Sequence, residues 1–124
     1  MIQLSEKDFI VFQEEAKKWI EFWGLKDWEV FFKFEHCESL DRAQCWTNWR
    51  GRICTLVLAS FQSEARTEDD IRKMAFHEVC ELLLHDMEAI ALDEEIPHEE
   101  RKGLTESYRH AVIRRLENSI FIDG

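Results

Sequence analysis

The sequence predicts a single α+β domain in which one helix, three antiparallel strands, a long helix and a C-terminal helix follow one another along the chain. Three observations predict this order. Apolar residues recur at every third or fourth position in residues 6–23, alternate with polar residues from residue 28 onwards, and return to helical spacing after residue 67. The 124 residues suffice for one domain, and 45% of them are hydrophobic, so the chain can bury a core.

The first helix is predicted over residues 6–23. Ser5 is a favourable N-cap, and Asp8 lies three residues later, where a carboxylate can complete a capping box. Gly24 follows the last periodic residue, at a position where helices commonly end. One face carries an apolar stripe that predicts packing in the core, formed by Phe9, Phe12, Ala16, Trp19, Ile20 and Trp23.

Three strands are predicted next, at residues 28–36, 43–50 and 52–59. The first alternates large apolar residues with charged ones, whereas the third is apolar almost throughout. A turn is expected at residues 38–42, and Gly51 marks a tight connection. Because the strands are close in sequence, we expect them to pair as an antiparallel meander. Trp46 and Trp49 are expected to pack in the core, whereas in an exposed cleft they would instead bind a ligand.

The second helix is predicted to begin after the polar connector at residues 60–66. Thr67 is its expected N-cap, and Asp70 occupies the capping-box position. The acidic residues of the first turn favour the positive end of the helix dipole. Apolar residues cover much of the circumference of this helix, so it should lie deep, between the sheet and other helices.

The last third of the chain is predicted to contain an acidic loop and a final helix. The loop spans residues 92–100 and holds Pro97, which suits the first turn of a helix. The helix spans residues 98–119, with Gly103 weakening it near its start. Its apolar stripe is formed by Leu104, Tyr108, Ala111, Val112 and Leu116. An apolar tail at residues 120–122 is expected to dock on the domain.

The second helix carries a pattern typical of metal binding. His77 and Glu81 are four residues apart, about 6 Å along the axis and on one face, so both can reach one ion. His85 is about 12 Å from His77 along the axis, too far for a mononuclear site in a straight helix. Glu78 points about 100° from His77, where it can hold a metal-bound water without ligating the metal. The pattern is HExxE rather than HExxH, and an acidic amphipathic helix offers an alternative explanation.

Burial favours a functional interpretation of this pattern. An unpaired carboxylate on a mostly buried helix is costly, so Glu78 and Glu81 need a cleft, a metal or hydrogen-bond partners. Glu106 and His110 of the last helix are four residues apart beside its apolar stripe, and either is a candidate for a further ligand.

Composition limits the partners. The formal charge is −10, with −2 over residues 1–62 and −8 over residues 63–124, which disfavours nucleic acid and would suit a basic peptide or protein. No apolar run approaches a membrane span, and there is no secretory signal, so a cytoplasmic protein is expected. The four cysteines form no CxxC pair and are expected to be small buried residues in a reducing compartment; they are Cys37, Cys45, Cys54 and Cys80.

The chain resembles the small zincin-like metallopeptidase proteins encoded by phages and prophages. The resemblance rests on residues 23–30 (WGLKDWEV), 77–84 (HEVCELLL) and 111–117 (AVIRRLE). It implies a minimal zincin-like fold and a zinc ion held by His77 and Glu81, with Glu78 as general base. It also implies a third ligand from the last helix, Glu106 or His110. Glu81 replaces the second histidine of the family motif, and a site with two carboxylates would also suit manganese.

Two functions follow from these observations. The first is a metal-dependent hydrolase of the peptidase type, in which Glu78 accepts a proton from a metal-bound water. The second is a catalytically inactive, zincin-shaped acidic protein that binds and modulates a host or partner protein. A third interpretation remains, in which the histidine and glutamates form only an internal hydrogen-bond network.

Overall fold

The computed structural model of the chain describes residues 1–38 and 42–120, with side chains in the last helix up to residue 117. The predicted turn at residues 38–42 lies partly outside the described residues, and the predicted apolar tail lies almost wholly outside them. In chain order the elements are β1 (Ile2–Gln3), α1 (Glu6–Phe22), β2 (Glu29–Glu35), β3 (Ala43–Asn48), β4 (Ile53–Ala59), β5 (Phe61–Gln62), α2 (Glu68–Leu92) and α3 (His98–Ile120). The α+β class and the order of the main elements are as predicted.

Both predicted capping boxes are present. The Ser5 hydroxyl accepts a hydrogen bond from the Asp8 amide, and the Asp8 carboxylate accepts one from the Ser5 amide. Thr67 and Asp70 make the same reciprocal pair at the start of α2. Gly24 follows α1 with φ of 64°, the left-handed conformation that glycine adopts most readily. The start of both helices and the end of α1 are therefore set by local sequence.

The prediction of an antiparallel meander is wrong for the first strand. The strand order is β2-β4-β3: β3 pairs antiparallel with β4, but β2 pairs with β4 in parallel, Phe31 opposite Thr55. The reason lies in side-chain burial. Leu56, Val57 and Leu58 of β4 are each fully buried, as expected for a strand with neighbours on both sides, and this strand takes the centre. The alternating strands β2 and β3 take the edges. The additional pair β1–β5 was not predicted.

The core lies between the inner face of this sheet and the helices. Phe9 of α1 stacks on Phe34 at 5.0 Å between ring centroids, and Phe12 meets Phe32 edge-on at 6.4 Å. The helix α2 packs against α1, α3 and β3, and Ile71, Val79 and Leu82 are almost completely buried, as its apolar circumference predicts. The His77 motif is thus carried by the most enclosed helix of the described fold.

No described helix covers the outer face of the sheet, which carries Phe31, Trp46 and Ile53. Trp46 is 38% exposed, with the Lys33 ammonium 5.7 Å from its ring centroid, whereas Trp49 packs at the edge of the core. The packing prediction is therefore confirmed for Trp49 and not for Trp46. None of the described helices combines the length and hydropathy needed to span a membrane.

Candidate metal centre

His77 and Glu81 lie on successive turns of α2 and face each other. The His77 Nε2 atom is 3.4 Å from the Glu81 Oε1 atom, and both side chains are more than half exposed. Together with Glu78 they offer one imidazole nitrogen and two carboxylate oxygens that all lie within 4.8 Å of one another. One cation could contact all three residues, so Glu78 is placed as a potential ligand as well as a potential base.

Glu78 is the unusual member of this group. Its residue surface is only 5% exposed, and its Oε1 atom is buried without a hydrogen-bond partner among the described residues. Burial raises the pKa of Glu78 to about 8, and a hydrogen bond with Glu81 and the charges of Glu81 and Cys54 act in the same direction. Without a cation, the carboxyl group therefore carries a proton at neutral pH.

A cleft of about 400 Å³ adjoins His77 and Glu78. Its lining includes Arg42 and Ala43, at the start of the edge strand β3, and Lys73 and Met74, one turn before the motif on α2. The Arg42 charge lowers the pKa of Glu78 against the larger effect of burial. The chain is strongly acidic overall, yet this cleft has two cationic side chains on its walls. Sequence reasoning missed both. Lys73 is four residues before His77 on the same helix, so helical spacing could have identified it, whereas only the tertiary fold brings Arg42 to α2.

The predicted third ligands do not join this group. Glu106 is exposed and lines a different cavity, with His98, Arg101 and Arg109, and His110 is also exposed. His85 faces the sheet instead: its Nε2 atom is 2.9 Å from the Thr47 hydroxyl and its ring meets Trp28 edge-on. The structure thus keeps His85 out of the group, as the helical rise predicts, and supplies Glu78 as the third neighbour.

Two cysteines lie near the group. The Cys45 and Cys54 sulfurs, on neighbouring strands, are 3.4 Å apart, and all four cysteines are free thiols. The pKa of the Cys45 thiol is raised far above its ordinary value by its hydrogen bond to Cys54 and by burial, with smaller effects from Cys54, Glu78 and Glu81. Neither sulfur belongs to the group of donor atoms that lie within 4.8 Å of one another, which among the described residues consists of the three residues of α2. Burial is as predicted for Cys54, while the other three cysteines are partly exposed.

The donor set fits a divalent cation. One imidazole and two carboxylates are accepted by zinc and by manganese. The buried Oε1 of Glu78 is an acceptor that lacks a donor among the described residues, and either a cation or a water held by that cation would satisfy it.

No protein-family model matches the chain, and no curated protein or solved structure matches it either.

Proposed function

We propose that this protein is a metal-dependent hydrolase of the peptidase type with a zincin-like arrangement of its elements. The observation that carries the proposal is the buried Oε1 atom of Glu78, which lacks a hydrogen-bond partner among the described residues and lies in one group with His77 and Glu81. A helix that served only packing would place an apolar residue at this position, because burying a carboxyl group is costly. Catalytic acids and bases commonly have pKa values shifted towards neutrality by such burial.

His77 and Glu81 would hold the cation, zinc or alternatively manganese. The ion would supply a Lewis acid that polarises the substrate carbonyl. Glu78 would accept a proton from the attacking water and return it to the leaving amine. A nearby positive charge favours the ionised carboxylate, so a bound cation would lower the pKa of Glu78 from its raised value and favour its action as a base.

The sheet supports a peptide as the substrate. β3 bonds only to β4 among the described strands, so its other edge presents free backbone groups, and its first residue, Ala43, lines the cleft beside His77. An extended peptide can add to such an edge as a further strand. Arg42 and Lys73 indicate an anionic group on that peptide close to the scissile bond. This local charge favours an acidic substrate over the basic one that the overall charge suggests.

Metal analysis followed by a peptide-cleavage screen tests this proposal. Protein purified without a histidine tag should contain or take up about one equivalent of zinc or manganese, and should cleave members of a peptide library detected by mass spectrometry. Glu78→Gln should abolish cleavage while retaining metal, and His77→Ala should lose both. Glu88→Gln is the matched control, because Glu88 is exposed on the same helix outside the group. Absence of stoichiometric metal, or cleavage that survives Glu78→Gln, would contradict the proposal.

The outer face of the sheet favours the second candidate function, a non-catalytic protein that binds a host or partner protein. Phe31 is 49% exposed, and Trp46 and Ile53 are each 38% exposed, on three adjacent strands. The strand register places Phe31 and Trp46 on either side of Thr55, so these rings share one face. Exposed apolar patches of this kind often mark protein interfaces. Protein without metal and without cleavage would favour this candidate over the hydrolase.

A further inference from the structure

A second cleft, of about 480 Å³, lies between the β3–β4 hairpin, α2 and α3. Its α2 wall is Asp86, nine residues after His77. Nine residues of a helix correspond to about 14 Å along the axis and half a turn, so Asp86 projects from the opposite side of α2. This cleft is therefore separate from the candidate metal centre.

One wall of this cleft is held by a connected polar network. The Arg52 guanidinium donates hydrogen bonds to both Asp27 and Asp86, and its centre lies 4.1 Å from the centroid of the Trp28 ring. The Trp49 indole donates a 2.8 Å hydrogen bond to the same Asp86 carboxylate. Both aspartates in the lining are thus already engaged by donors of the protein, and the wall is fixed before any ligand arrives.

The hairpin backbone supports the same wall. Arg52 adopts φ of 55°, uncommon for a residue other than glycine. Its amide bonds to the Trp49 carbonyl at 3.2 Å, and the neighbouring Gly51 amide bonds to the Asn48 side chain at 3.0 Å. These bonds hold the Arg52 side chain over α2.

The opposite wall presents donors without partners. Tyr108 and Arg115 of α3 are seven residues apart, two turns along one face, with the small Ala111 between them. Neither side chain makes a hydrogen bond or ion pair with any residue that the structure describes. Arg50 completes the rim: it is paired with Asp93 at 2.9 Å, yet its side chain is 67% exposed.

We propose that this cleft binds a small oxyanion, a carboxylate or phosphate group, through the Arg115 guanidinium and the Tyr108 hydroxyl, with Arg50 at the rim. The lining contains three guanidinium groups and two carboxylates, a formal charge of +1. Arg52 bonds to both carboxylates and Arg50 pairs with Asp93, whereas Arg115 makes no ion pair with any residue that the structure describes. A guanidinium matches the planar geometry of carboxylate and phosphate oxygens. The volume lies in the range of small-molecule sites and leaves room for an organic body beside the anionic group.

Titration of the full chain with three probes tests this inference: benzoate, phenyl phosphate and inorganic phosphate, each followed by backbone amide NMR shifts at low ionic strength. At least one probe should saturate, with the largest shifts around residues 49–52 and 108–115. Arg115→Ala should weaken binding by about tenfold or more, since a hydrogen bond to a charged group is lost. Tyr108→Phe should weaken binding less. Arg115→Lys keeps the positive charge and should therefore bind more tightly than Arg115→Ala, and it also serves as the test if Arg115→Ala folds less stably.

Arg114→Ala is the matched control, because Arg114 is exposed on the same helix and does not line the cleft. It should leave the affinity unchanged. Tighter binding of phenyl phosphate than of benzoate would assign the site to phosphate esters, and the reverse order would assign it to organic carboxylates. The inference is overturned if no probe saturates by 10 mM, on the order of the weakest small-ligand affinities of interest. It is also overturned if Arg114→Ala weakens binding as much as Arg115→Ala, since the probe would then be attracted by the positive charge of the helix surface and not by this cleft.

Discussion

Glu78→Gln should make the metal-free protein more stable at neutral and alkaline pH. In the folded chain Glu78 keeps its proton up to a pH of about 8, whereas its ordinary value is 4.5. Between these values the folded state binds more protons than the unfolded state. Glu78 therefore leaves the free energy of unfolding undiminished below pH 4.5 and lowers it progressively as the pH rises through 8. The difference between the two pKa values corresponds to a total loss of about 5 kcal/mol in the free energy of unfolding, of which about 3 kcal/mol is lost by pH 7. A glutamine stays neutral and avoids this loss.

Urea unfolding in the presence of EDTA, followed by tryptophan fluorescence, measures this effect between pH 4.5 and 8.5. The difference in unfolding free energy between Glu78→Gln and wild type should grow by about 3 kcal/mol from pH 4.5 to pH 7 and should level off above pH 8. Taking the difference cancels the other titrating groups. Glu88→Gln should run parallel to wild type at every pH. Parallel curves for Glu78→Gln and wild type would refute the account of Glu78 as a buried, desolvated carboxyl group.

Three further predictions concern the charge around Glu78, the metal and the helices. Arg42→Ala should raise the pKa of Glu78 further, because Arg42 is the cation that lowers it. Carboxyl ¹³C NMR would measure this rise, and the control variant Arg114→Ala should titrate as wild type does. Zinc at about 100 times its dissociation constant should stabilise the wild type by about 2.7 kcal/mol in thermal unfolding, and an equal effect in His77→Ala would contradict the assigned ligands. Gly103→Ala, within a helix and with open space around its Cβ position, should stabilise by about 0.5–1 kcal/mol, whereas Gly24→Ala should destabilise by about 1 kcal/mol because of its φ of 64°. Chemical denaturation of the two glycine variants should give opposite signs.

The helices show how far local sequence reaches. The apolar stripe of α1 and the capping pairs of Ser5 and Thr67 predict where α1 and α2 begin, and the structure agrees to within a residue. These features depend on residues three or four apart, which the chain itself brings together. The burial of α2 was also predictable, because an apolar circumference has to be covered by other elements.

The sheet shows where such reasoning ends. Proximity in sequence favours pairing β2 with β3, but the central place goes to β4, which contains the consecutive fully buried residues Leu56, Val57 and Leu58. The composition of β4 was visible in the sequence, and it was the stronger indication of strand order. Strand order depends on which strand the helices and the neighbouring strands can bury together. That is decided by the packing of the whole domain and not by local sequence.

The sequence by itself determined the α+β class, the main elements and the placing of His77 and Glu81 on one face of a buried helix, because helical geometry relates residues one turn apart. Only the tertiary structure decided that Glu78 is buried with one carboxyl oxygen lacking a partner among the described residues, that Arg42 reaches the cleft, and that Glu106 and His110 lie elsewhere. Desolvation and charge depend on what surrounds a side chain from every element, and residues distant in sequence supply those surroundings.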